Sequence, residues 1–240
     1  EKLGVNPFKF GMLGSTDSHT ALSTAEEDNY FGKVTLLEPS ADPVRFDEVI
    51  AGRPAPKGNQ IYARQIGAAG LAAVWARENT REALWDAMAR KEVFATTGTR
   101  LRVRVFGGWN FTLADMNNRQ PAFAGYSKGV PMGSELPTAG KKSAPSFMVF
   151  ALRDPIGANL DRIQIVKGWL DTDGRAQEKV YDVAWSNGRK PGTDGKLPAV
   201  GDTVDLSIPS WSNTIGASEL GSVWTDPDFD PSLRAFYYAR

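Results

Sequence analysis

Ile163-Gln164-Ile165-Val166-Lys167-Gly168-Trp169-Leu170 and Lys179-Val180-Tyr181-Asp182-Val183-Ala184-Trp185 flank Asp173-Gly174, and this stretch decides the class of the second half of the chain. Asp-Gly tolerates the positive φ of a tight turn, so the two flanks read as the arms of an antiparallel hairpin. Upstream, Phe147 to Leu152 (FMVFAL) is a continuous apolar strand, and Leu101, Val103 and Val105 alternate with Arg102 and Arg104, the pattern of a strand with one wet face. Downstream, short segments at Thr203 to Ser207, Gly221 to Trp224 and Ala235 to Arg240 complete an antiparallel set. Residues 101–240 are therefore predicted to form a β-sandwich-like region. Trp109, Trp169, Trp185, Trp211 and Trp224 read as its core and rim, with stacking on sugar rings the alternative for exposed ones.

Residues 1–100 have another character and are predicted to be α/β. Phe8 to Leu13 (FKFGML) reads as a buried strand, and Leu71 to Ala76 (LAAVWA) as a second. Between them, Thr20 to about Gly70 reads as one long irregular stretch. Asn79 is placed to cap a helix, with Glu82 three residues on to complete a capping box. Leu84, Ala87, Met88 and Lys91 follow on one helical face, and Arg90 and Lys91 suit the negative end of the helix dipole. Phe94 to Gly98 then closes a strand, helix, strand unit that predicts a parallel sheet or barrel.

Composition excludes several classes. Of 240 residues, 28 are Lys or Arg and 28 Asp or Glu, so no basic excess exists to neutralise nucleic-acid phosphates or to seek an anionic membrane. No apolar run is long enough to span a bilayer as a helix. Cysteine is absent, which removes thiolate chemistry and disulfides and leans only slightly toward an extracytoplasmic compartment. His19 is the single histidine. Glu1 in place of Met, and an end at Arg240 within the aromatic run Phe236-Tyr237-Tyr238, read as a piece of a longer protein.

Asp17 and His19 carry the chemistry. Two residues apart at the expected mouth of a strand, a carboxylate and an imidazole converge on one point, which makes half of a site for a divalent metal. The alternative is an Asp that caps a turn beside an ordinary polar His. Glu26, Glu27 and Asp28 are either further ligands or a solvated run. Asp226, Asp228 and Asp230 alternate as calcium ligands do, yet Asp-Pro turns explain them equally, and no calcium site is assigned.

Gly14-Ser15-Thr16-Asp17-Ser18-His19 resembles the last metal-binding motif of the polymerase and histidinol phosphatase (PHP) superfamily, a Gly-Ser-Asp-x-His run, with Thr16 as an additional residue. Leu22 to Asn29, Glu78 to Ala83, Gly107-Gly108-Trp109, Gly129 to Gly133, Asn159 to Gly168 and Val223 to Pro227 resemble a bacterial family known as domain of unknown function 3604, over nearly the whole chain. The resemblance implies the last strands and helix of a distorted (β/α)₇ barrel in residues 1–100, followed by the β-rich region in 101–240. It implies Asp17 and His19 as ligands of Zn, Mn or Fe, and a hydrolase that attacks a small-molecule ester, foremost a phosphate, with a metal-activated water. Ser15, Thr20, Glu26 and Arg100 are the candidates for substrate or supporting contacts. A two-ligand site binds metal weakly, so the chain alone is expected to be inactive. An upstream segment of the same protein or a second copy would have to complete the barrel. The alternatives are a non-catalytic β-sandwich module for binding or assembly, and a metal hydrolase of non-phosphate substrates.

Overall fold

Asp173-Gly174 turns the chain between β8 (Arg162–Leu170) and β9 (Ala176–Trp185), which pair antiparallel, with Gly174 at φ +76°. The five-residue connection is held by Asp171, whose carboxylate accepts the backbone N–H of Asp173 at 3.0 Å and of Arg175 at 2.8 Å. The computed structural model describes residues 9–20, 33, 42, 47, 49–51, 60–62, 65, 66, 70–137, 143–208 and 210–240. Within it the chain divides into two units, Glu1–Arg77 with Val93–Arg100, and Glu78–Glu92 with Leu101–Arg240.

The second unit is built from two antiparallel sheets. β13 (Ala235–Ala239) pairs with β8 to give the order β13-β8-β9. β5 (Arg102–Gly108), β6 (Gly129–Pro131), β7 (Ser146–Leu152) and β12 (Glu219–Thr225) form the other sheet in the order β12-β7-β5-β6. Phe147, Val149 and Ala151 from β7 meet Ile163 and Ile165 from β8, with Val103, Val105, Leu220, Val183 and Tyr237 packed around them. The opposite face of β7 is buried as well. Met148 joins Phe106 and Phe111 in a second cluster, against which Met116 of the short helix α2 (Leu113–Met116) and Ala122 of α3 (Pro121–Lys128) pack. A strand covered on both faces has no wet side to alternate with, hence the unbroken apolar run.

The first unit departs from the expected parallel arrangement. β3 (Ala72–Val74) and β4 (Val93–Ala95) pair antiparallel, with Ala72 opposite Ala95 and Val74 opposite Val93. The helix between them, α1 (Arg81–Ala89), groups with the second unit, so it is not the crossover that a parallel pair requires. All strand pairing among the described residues is antiparallel. Residues 9–18 form no strand, which corrects the reading of Phe8 to Leu13 over its described part. The stretch expected to be irregular contains an antiparallel pair, β1 (Val49–Ala51) with β2 (Ile61–Tyr62). A further ribbon joins β10 (Val204–Asp205) to β11 (Ser210–Trp211).

Thr80, not Asn79, caps α1: its Oγ1 accepts the N–H of Ala83 at 3.3 Å. The other end closes two residues earlier than the Leu84, Ala87, Met88, Lys91 spacing predicts. Lys91 adopts φ +61°, its N–H donates to Met88 O and that of Glu92 to Ala87 O, each at 3.0 Å. This 6→1 and 5→2 pair terminates the helix with a left-handed residue, a position that glycine fills at lower cost. Lys91→Gly is therefore expected to raise the unfolding free energy by about 0.5–1 kcal/mol in urea titrations, and Lys91→Val to lower it.

Candidate functional site

Asp17 and His19 lie on an exposed turn in the first unit, and local contacts fix the turn. Gly14 sets its approach, since a Cβ there would lie 2.6 Å from Leu71 O and 2.8 Å from Thr96 O, on the backbone flanking β3 and β4. Ser15 Oγ accepts the Asp17 N–H at 3.0 Å, and Asp17 takes φ +50°, which Asp tolerates better than most residues. Lys33, distant in sequence, clamps the turn from both its main chain and its side chain. Its carbonyl accepts the His19 N–H at 2.9 Å, its Nζ donates to Thr16 O at 3.1 Å, and the same Nζ pairs with Asp17 Oδ2 at 3.0 Å. Lys33 thereby holds the Asp17 carboxyl below the ordinary carboxylate range, with a smaller push from His19.

The turn leaves Asp17 Oδ1 and His19 Nε2 3.4 Å apart with both side chains more than half exposed. Two donors about 2.0–2.2 Å from one tetrahedral divalent ion lie about 3.3–3.5 Å apart, so the pair fits two positions of such a shell. Among the described residues no third His, Cys, Asp or Glu joins them. Thr20 Oγ1 hydrogen-bonds Ser18 Oγ at 2.8 Å, tightening the same turn. Arg100 is exposed at the end of the first unit. Glu26, Glu27 and Asp28 lie outside the described residues.

A second polar constellation closes one end of the two-sheet unit. Lys167 follows Ile163 and Ile165 on β8 and is 4% exposed, while Asp226, just beyond β12, is 2% exposed. Lys167 Nζ donates to Asp226 Oδ2 at 2.6 Å and to Asp228 O at 2.7 Å, and lies 5.2 Å from the centre of the Trp169 ring. Tyr237 OH donates to Asp226 Oδ2 at 2.6 Å, and Asp226 Oδ1 accepts the Asp228 N–H at 2.9 Å. Asp228 in turn receives Lys179 Nζ and Tyr181 OH, each at 2.6 Å. Asp230 accepts from Ser232 instead. The three alternating carboxylates thus face different partners. Tyr237 packs 4.5 Å from Phe147 and Tyr181 4.7 Å from Trp224, ring centre to ring centre, sealing the core beneath.

Residues 1–240 match the family described as Protein of unknown function (DUF3604). The chain belongs to that family. No curated protein and no solved structure matches it.

In this DUF3604 chain, sequence reading located Asp17 and His19 but missed Lys33, Lys167 and the Tyr181/Tyr237 pair. The signal for Lys167 was present: a charged residue in phase with Ile163 and Ile165 at an inward position demands a buried counter-charge. Asp226→Ala is expected to lower stability by about 3–5 kcal/mol, read from urea unfolding, because Lys167 would be left charged and unpartnered.

Burial first, and the carboxylates of Asp226 and Asp228 second, push the hydroxyls of Tyr237 and Tyr181 far above the usual tyrosine range. Above about pH 10 the unfolded chain loses these protons while the folded one keeps them, so stability falls as pH rises. Unfolding titrations of Tyr237→Phe between pH 9 and 11.5 should show a slope shallower by up to about 1.4 kcal/mol per pH unit.

Proposed function

We propose that this chain supplies Asp17 and His19 as two ligands of a divalent metal, Zn, Mn or Fe, in a hydrolase of the PHP kind that acts on small phosphate esters. The observation that carries this reading is the 3.4 Å separation of Asp17 Oδ1 and His19 Nε2 on an exposed, internally braced turn. The resemblance of Gly14 to His19 to the closing metal motif of that superfamily supports it; the distorted (β/α)₇ barrel that the resemblance also implies is a separate matter, since β3 and β4 pair antiparallel.

A bound divalent metal supplies an acidified water and a counter-charge for phosphate oxygens. The chain's own residues have separate tasks. Ser15 fixes the main chain of Asp17, and Lys33 keeps that side chain in the carboxylate form, the form that ligates. Arg100 presents a guanidinium in the same unit, suited to bidentate contact with a phosphate. Since a catalytic metal takes three or more protein ligands and no third joins the pair among the described residues, the set is completed from outside them, by residues such as Glu26, by a further segment of the same protein or by a second copy. A metal-bound water would serve equally for other esters and amides, so the phosphate assignment rests on the superfamily resemblance. A binding or assembly role for the β-rich unit is the second reading, favoured by that unit's own core and by the cleft beside Asp228.

After reconstitution with Zn or Mn and desalting, plasma mass spectrometry is expected to find metal retained by the protein extended to include the completing ligands, and little by residues 1–240 alone. In the Asp17→Ala and His19→Ala forms of the extended protein it should fall at least tenfold, together with hydrolysis of 4-nitrophenyl phosphate by the metal-loaded protein. Equal metal content in the extended protein and its His19→Ala form would overturn the assignment.

A further inference from the structure

An open cleft of about 410 Å³ lies in the second unit, within the range of about 300–1,000 Å³ typical of small-molecule sites. Lys179, Tyr181, Asp182 and Trp185 of β9 line it together with Trp224 and Asp228. Among the described residues β9 is an edge strand of its sheet, and its residues border this space. The lining combines three aromatic rings with two carboxylates and one ammonium.

The charges are already matched. Lys179 Nζ sits 2.6 Å from Asp228 Oδ2 and 5.1 Å from the centre of the Tyr181 ring, the place a ligand cation would otherwise take. Asp182 Oδ1 accepts Gln164 Nε2 at 2.7 Å and faces Arg162 at 3.5 Å. A free anion would meet two carboxylates, and a free cation would have to displace Lys179. What remains is a ligand without formal charge that offers apolar faces to rings and hydroxyls to carboxylates.

The geometry points to a saccharide-binding cleft between β9 and the end of β12, in which Trp185 contacts the face of a neutral sugar ring, Tyr181 and Trp224, packed on each other, border it, and Asp182 and Asp228 accept its hydroxyls. Sugars suit this lining because their axial C–H faces are apolar while their edges are hydroxylic, so ring contact and hydrogen bonding are satisfied together. The site is independent of Asp17, His19 and any metal. The Trp185 indole N–H donates to Arg189 O at 2.7 Å, which fixes the ring as a preformed wall rather than a mobile one.

The test is tryptophan fluorescence and calorimetry on the full chain with cellotetraose, chitotetraose and maltotetraose as probes, and glucose 6-phosphate as the anionic control. At least one neutral tetrasaccharide is expected to saturate below about 1 mM, with no response to the phosphorylated sugar. Trp185→Ala and the conservative Asp182→Asn should each weaken it at least tenfold, while Trp211→Ala, an exposed tryptophan outside the cleft, should not. The circular dichroism spectrum of Asp182→Asn is expected to match the native one. Three outcomes would overturn the proposal: no saturation by any probe up to 10 mM, binding unchanged in Asp182→Asn, or preference for the anionic sugar. Metal content of the extended protein is expected to be unchanged by either cleft substitution, which keeps this test separate from that of the metal site.

Discussion

Lys167 and Asp226 form an ion pair with almost no exposed surface, and the architecture around it follows from the need to satisfy both charges. A buried ammonium retains its charge only with several acceptors, and a buried carboxylate only with several donors. Lys167 therefore draws Asp226 Oδ2 and Asp228 O toward β8, and Asp226 takes the Tyr237 hydroxyl and the Asp228 N–H. These contacts bind the segment after β12, which belongs to one sheet, onto β8 and β13 of the other. The sheets are joined at this end by polar geometry, which is directional, as well as by the apolar core, which is not.

The apolar part works along β7. Phe147, Val149 and Ala151 pack toward β8, while Met148 and Phe150 pack toward the side that carries α2 and α3. One strand is shared by two clusters, so a change on either face is felt by both. Fully burying such side chains contributes roughly 1.5–3 kcal/mol each, more than any exposed ion pair of the surface offers.

What could be read in the sequence was local. The Asp-Gly turn, the continuous run at Phe147 to Leu152 and the strands at Gly221 to Trp224 and Ala235 to Arg240 all announce themselves through turn chemistry or through burial, and each appears in the structure. Strand direction was not local. Leu71 to Ala76, a helix and Phe94 to Gly98 look like a parallel crossover, but whether β3 and β4 run together depends on where α1 packs, and α1 serves the other unit. The helices α2 and α3 are short and lie on a sheet that hides their apolar residues in a shared cluster, so no helical period stands out. The cap moved by one residue because Thr80 Oγ1 reaches the Ala83 N–H, a choice that Asn79 and Thr80 present equally in sequence.

The same distinction separates the two polar sites. Asp17 and His19 are neighbours in sequence, so their convergence could be anticipated; their fixation by Lys33 could not, since it depends on contacts 14 to 17 residues along the chain. That contact shapes the chemistry of the pair. A lysine against one carboxylate oxygen leaves the other turned toward His19, which gives the turn one defined donor edge in place of a freely rotating carboxylate. At the other site nothing is local: Lys167, Lys179 and Tyr181 come from a hairpin, and Asp226, Asp228 and Tyr237 from the end of the chain. Because every charge there is matched within the protein, the cleft beside it is left with aromatic surface and hydrogen-bond acceptors but little net field, and that residue of properties selects the ligand class.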